Sequence, residues 1–238
     1  MTTKKEKELS LVFRGYKFLI VVCLGIIIIL TMMLSISNVL YTASKLPNIP
    51  TPEISEGMRG ELGIDKNINE TTIDKYLGRS DSVYRDMRML VDPANYESIG
   101  GDKYLSGIVD GFEVVPLPYI IEPEGLPEAV GQAYSGKTLY SRVKNGKAIP
   151  NYAESKQILE DLFPKDKNIF LMCGGGGYAG MTKALLVELG WDADKIWNVG
   201  GYWYYEGENK TDIKQEDGTY AFWKLNYHLI NFDDLTEL

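Results

Sequence analysis

The hydrophobic positions of this chain change their period as it proceeds, and each change predicts a different element. From Phe18 to Ser44 there is no Asp, Glu, Lys or Arg, a run of 27 residues whose densest part, 18–36, is apolar on every side. As a helix this segment is long enough to cross a hydrocarbon core of about 30 Å. It is also longer than the apolar core of a signal peptide, roughly 7–15 residues. The reading is therefore one transmembrane helix over 18–41. Residues 46–58 hold three prolines and no clear period, which predicts a stiff linker over 42–60.

Beyond the linker, short apolar runs alternate with helical patterns, and that alternation predicts an α/β fold with a mainly parallel central sheet flanked by helices. Residues 71–77 read as a short capped helix, and 82–88 and 111–118 as strands. Residues 138–150 read as an inserted β-hairpin, with Asn145-Gly146 suited to a type I′ turn. Tyr152 to Phe163 places Ile158, Leu159, Leu162 and Phe163 on one helical face. A strand follows at 168–172, then a helix over 181–189 stopped by Gly190, then a strand at 195–199. The domain so defined covers 61–238, with an insertion near 119–150 and a C-terminal extension at 206–238.

Charge adds orientation. Lys4, Lys5, Lys7, Arg14 and Lys17 precede the apolar run and Lys45 alone follows it closely. The excess of positive charge places residues 1–17 as a cytoplasmic tail and the later domain outside the cytoplasm, as in a single-pass membrane protein. Residues 46–238 carry 19 basic and 31 acidic side chains, a balance that argues against nucleic acid or anionic lipid as a partner of the domain.

The candidate chemistry is concentrated in one stretch. An apolar strand ends in Cys173, followed by Gly174, Gly175, Gly176, Gly177 and Tyr178. The other cysteine, Cys23, lies in the apolar run, so Cys173 has no disulfide partner within the later domain. Glycines let successive amides turn inward, and a helix beginning just after adds its positive end. Such a setting is expected to lower the pKa of the thiol. Gly175, Gly177 and Gly180 also fit a dinucleotide fingerprint, but Gly200 ends the next strand where a ribose-binding acid is wanted.

Residues 164–205 resemble the rhodanese family. Pro164-Lys165-Asp166-Lys167 matches the turn before its active-site strand, and Cys173 to Tyr178 match its six-residue loop. Leu189-Gly190-Trp191 and Asn198-Val199-Gly200-Gly201-Tyr202, with Trp203 to Tyr205, match segments downstream. Upstream, Asp86-Met87-Arg88, Gly107 to Gly111 and Val114-Val115-Pro116-Leu117 resemble further motifs, so the likeness covers roughly 68–205. Ile108 and Asp110 stand where the family has histidine and proline, and the loop carries no cation.

The resemblance implies a rhodanese-like fold and a sulfurtransferase. Cys173 is then the nucleophile that carries a persulfide, the amides of Gly174 to Tyr178 bind substrate, and Arg88 is a possible pocket neighbour. The partners implied are a small sulfur donor and a thiol or cyanide acceptor, with no cofactor and no metal. His228 is read as structural. The alternative is a rhodanese-fold domain without turnover, acting as a binding or persulfide- and redox-sensing module at the cell surface.

Overall fold

The computed structural model describes residues 24–35, 46–143 and 146–238. The chain divides into two compact units, Met1–Pro47 and Asn48–Leu238. In the first unit, residues 24–35 form helix α1, whose side chains are all exposed. Among the described residues no helix is long and apolar enough to cross a membrane. The remainder of the expected span over 18–41, and the tail over 1–17, lie outside the described residues.

The second unit is built on strands β1 (Ser82–Asp86), β3 (Glu113–Val114), β6 (Asn168–Cys173) and β7 (Ile196–Gly201), with β2 (Gly107–Val109), β4 (Tyr140–Arg142), β5 (Ala148–Pro150) and β8 (Lys210–Asp212) outside the main sheet. The four form one sheet in the order β3-β1-β6-β7, and every pairing in it is parallel. Strand β2 pairs antiparallel with β8, and β4 with β5. The helices are α2 (Leu117–Ile120), α3 (Ser155–Leu162) and α4 (Gly177–Glu188). The coarse expectation, an α/β layout around a parallel sheet with an added hairpin, is what the structure shows.

Strand β6 explains why the sheet is buried on both faces. Its alternate side chains point in opposite directions. Ile169, Leu171 and Cys173 join the cluster under α3 and α4, with Leu159, Leu162, Ala179, Leu185 and Leu186. Phe170 and Met172 join the opposite cluster, with Tyr84, Val114, Trp197 and Val199, closed by Ile68, Ile73, Leu105 and Ile213. A strand covered on both faces reads as an unbroken apolar run, and Ile169 to Cys173 is one. The alternation places the Cys173 side chain on the helix-covered face.

Three expectations shift in place. Residues 48–60 do not stand clear of the domain as a linker. Ile54 bridges Asp65, the Trp197 indole N–H donates to Pro50 O at 3.1 Å, and Arg59 reaches the cysteine loop. Helix α4 starts at Gly177 rather than 181. Glycine disfavours a helix, but a Cβ on Gly180 would fall 2.3 Å from Leu62 O, so close packing requires glycine there. Residues 111–118 are mostly not strand: β3 has two residues and Pro116 leads into α2.

The hairpin forms as expected, and Gly146 has φ +78°, while Asn145 of the expected turn lies outside the described residues. The extension is tied in by β8, by a bridge from Tyr227 to Val114 and by His228, whose ring lies 2.9 Å from Glu113 Oε2.

Candidate functional site

Cys173 ends β6 at the carboxyl edge of the parallel sheet, where open α/β sheets place their ligands. The chain then needs only three residues before α4. Gly176 makes this turn possible with φ +104°, in the left-handed region that favours glycine. Its amide donates to Cys173 Sγ at 3.0 Å.

The four glycines turn out to have different reasons. A Cβ on Gly174 would fall 2.4 Å from the Trp203 indole, and one on Gly175 would meet the same ring at 3.3 Å. These two are small so that Trp203 can lie across the loop. The Trp203 amide also donates to Gly174 O at 3.1 Å. Gly176 is required by its backbone angle. A Cβ on Gly177 would meet nothing within 4 Å, and this residue lines the cavity beside the thiol. The glycine run therefore serves Trp203 as much as it serves a ring of amides.

The loop is braced from outside the cavity. Buried Asn198 donates through Nδ2 to Gly176 O at 3.0 Å and to Leu62 O at 2.8 Å. Arg59 Nη2 donates to Gly175 O at 3.1 Å, and Arg59 pairs with Glu70 and lies over the Tyr204 ring. The sequence shows no cation in the loop, and the fold brings one to it. Arg59 meets a carbonyl rather than the thiol.

The cavity against Cys173 has a volume of about 430 Å³. Its wall includes Arg88, Tyr178, Trp203, Met89, Asp92 and Tyr96, with Leu126 and Pro127 contributed by the inserted segment. Cys173, Gly174, Gly175, Gly177, Tyr178 and Arg88, all singled out from sequence, line this one space, whereas Gly176 turns the chain beneath it. Asp92, Tyr96 and Leu126 were not, and Trp203 was noted only within the aromatic run that matches downstream of the loop. They come from loops whose local pattern carries no sign of a shared wall, although the aromatic run 202–205 marked the vicinity.

Arg88 is buried and holds Asp86 with two groups: Nε donates to Oδ1 at 2.9 Å and Nη2 to Oδ2 at 2.6 Å. Nη2 also donates to Gly107 O at 2.7 Å. Burial works against its charge, but the carboxylate of Asp86 more than offsets this, and its pKa lies above the ordinary value. Arg88 Nη1 has no hydrogen-bond partner within the protein, nor has Trp203 Nε1, and both atoms are buried.

Tyr178 joins a short chain of hydroxyls. Tyr96 Oη donates to Tyr178 Oη at 2.7 Å, and Tyr178 Oη donates to Asp92 Oδ2 at 2.9 Å. Burial raises the pKa of Asp92 and of both tyrosines. Tyr178 thus both walls the cavity and packs into the core.

The thiol corrects the electrostatic expectation. Cys173 is 3% exposed, and burial pushes its pKa above the usual value. The amides of Ala179, Gly176 and Tyr178 pull the other way without overcoming burial, and the Asp86 carboxylate adds to the rise. Three amides therefore favour the thiolate, including that of Ala179, but a low thiol pKa in the free protein is not among their effects.

Fold and site together define a class: an α/β protein with a buried cysteine at the carboxyl edge of a parallel sheet, facing a largely apolar cavity. No family model matches the chain, and neither a curated protein nor a solved structure matches it.

Proposed function

We propose that this protein is a membrane-anchored rhodanese-like sulfurtransferase that moves a sulfane sulfur through a persulfide on Cys173. The observation that carries the reading is the placement of Cys173 Sγ at a strand end, 3.0 Å from the Gly176 amide and on the wall of a ligand-sized cavity. The order β3-β1-β6-β7 in a parallel sheet and the motifs around the loop support it further. The apolar run over 18–44 supports the anchor, with the domain outside the cytoplasm.

The thiolate of Cys173 attacks the outer sulfur of a donor such as an organic persulfide or thiosulfate. The donor S–S bond breaks, and its electron pair leaves with a thiolate or sulfite. Cys173 then carries one extra sulfur, whose negative charge the preorganised amides of the loop and of the first turn of α4 stabilise. A thiol or cyanide attacks that sulfur, giving a new persulfide or thiocyanate, and the electron pair returns to Cys173. No external oxidant or reductant enters the balance.

The test uses the full chain in lipid nanodiscs with an organic persulfide or thiosulfate, followed by cyanide. Thiocyanate formation, with one added sulfur on Cys173 by mass spectrometry, is expected. Neither product with any donor overturns the reading.

One observation favours a second reading, a binding or persulfide-sensing module without turnover: the thiol is buried and its pKa is raised. Slow sulfur loading on Cys173 without transfer to an acceptor would select it.

A further inference from the structure

Three successive carbonyls of the cysteine loop are each held by a different neighbour. Gly174 O accepts the Trp203 amide at 3.1 Å, Gly175 O accepts Arg59 Nη2 at 3.1 Å, and Gly176 O accepts Asn198 Nδ2 at 3.0 Å. The middle contact has a direct consequence for the thiol. Gly175 C=O and Gly176 N–H are the two ends of a single peptide unit, which is planar and, when trans, carries its oxygen and hydrogen on opposite sides. The Gly176 N–H donates to Cys173 Sγ at 3.0 Å. Arg59 and the cysteine sulfur therefore hold one rigid plane from its two ends.

Arg59 is itself fixed in place. It pairs with Glu70, and its guanidinium carbon lies 3.7 Å from the centre of the Tyr204 ring. Glu70 Oε2 also accepts the Gly201 amide at 3.4 Å. Arg59 does not line the cavity. A cation at the oxygen end of a peptide strengthens the N–H at the other end as a donor, since linked hydrogen bonds polarise one another. The loop has no cationic side chain of its own, and this peptide relays the influence of one that stands behind it.

Other groups face the thiol directly. Asp86 on β1 disfavours the thiolate, and Arg88, which pairs with Asp86, and Tyr96 both lie within electrostatic reach of Cys173. Helix α4 offers the amides of Tyr178 and Ala179, and β7 places Gly201, which has no side chain, opposite Cys173.

We propose that Arg59 is a positioning residue for Cys173: by holding Gly175 O, it aims and polarises the Gly176 N–H at the sulfur and so favours the thiolate and the persulfide formed from it. The proposal rests on the reading above for the step it serves, but its effect on the thiol does not require turnover.

The full chain in lipid nanodiscs is alkylated with iodoacetamide across a pH series, and mass spectrometry of the Cys173 peptide separates it from Cys23. Arg59→Met keeps the length of the side chain and removes the donor. It should raise the midpoint of the Cys173 profile by about one pH unit, the tenfold loss of thiolate that follows when a hydrogen bond to an anion is weakened. Glu70→Gln removes the charge of the same ion pair but keeps an acceptor for the guanidinium, so it should not raise the midpoint. Tyr204→Leu, at a half-exposed position, loosens the guanidinium without removing its donor and should raise the midpoint by less. It carries the test if circular dichroism shows Arg59→Met to be unfolded.

An unmoved midpoint in both Arg59→Met and Tyr204→Leu, or an equal rise in Glu70→Gln, would overturn the proposal. With thiosulfate as donor, Arg59→Met should lower kcat for thiocyanate formation and leave KM unchanged, because Arg59 stands outside the cavity; a change in KM alone would also overturn it. A shifted midpoint in a protein that forms no thiocyanate would sink the enzyme reading alone, and thiocyanate formation with an unmoved midpoint would sink this one alone.

Discussion

Arg85 lies within β1 and Arg88 two residues beyond its end, and the two buried guanidiniums have opposite fates. Arg85 donates from Nε to Leu162 O at 2.8 Å and from Nη1 to Tyr84 O and to Glu113, so its contacts tie β1 to α3 and β3. Glu113 is half-exposed and shared with Asn226 and His228, and burial lowers the Arg85 pKa despite it. Arg88 faces a wholly buried carboxylate and keeps its charge more firmly. Arg85 therefore spends Nε and Nη1 on bonds that hold β1 to its neighbours. Arg88 binds its carboxylate through Nε and Nη2 and leaves Nη1 buried without a partner.

The largest effect should come from the thiol that Arg88 overlooks. Cys173→Ser is expected to abolish thiocyanate formation while the circular dichroism spectrum stays unchanged, and residual transfer at the native rate would remove Cys173 as the nucleophile. Next is the arginine pair itself. Arg88→Met leaves Asp86 buried without its partner and should cost about 3–5 kcal/mol. Arg85→Met leaves Glu113 with water, Asn226 and His228, and should cost about 1–3 kcal/mol. Urea denaturation midpoints measure both, and equal losses would erase the distinction drawn between them.

A smaller contrast separates two glycines of the loop. Gly174→Ala drives a methyl into the Trp203 indole and should cost about 1–3 kcal/mol. Gly177→Ala meets nothing and should stay within about 1 kcal/mol of wild type. Thermal unfolding of the two variants checks the order. The gentlest effect is one of pH. Only the thiolate reacts with iodoacetamide, and burial raises the pKa of Cys173. Alkylation should therefore climb about tenfold per pH unit and still be rising past the ordinary thiol value of about 8.5. A plateau at neutral pH would show that the amides of α4 outweigh burial after all.

Much of the layout was legible because it rests on local periods. The apolar run 168–172 marked a strand ahead of Cys173, and the amphipathic stretch 152–163 marked α3. The start of α4 was misplaced because two glycines argue against a helix locally, while the contact that demands Gly180 is with Leu62, far away in the chain. The linker was misjudged for a similar reason. Three prolines describe a stiff chain equally well whether it stands in water or lies against Trp197.

The sequence by itself determined that one cysteine would end a buried strand ahead of a glycine turn and a helix. Strand alternation, the left-handed freedom of glycine and helix polarity act over a few residues and leave their mark in order. Only the tertiary structure decided what that cysteine meets. The brace from Arg59 to Gly175 spans 116 residues, and the chain of hydroxyls from Tyr96 through Tyr178 to Asp92 joins a loop to a helix. The raised thiol pKa, the Trp203 cover and the spare donor of Arg88 depend on burial and on distant neighbours. Those are properties of packing in three dimensions, which no local period encodes.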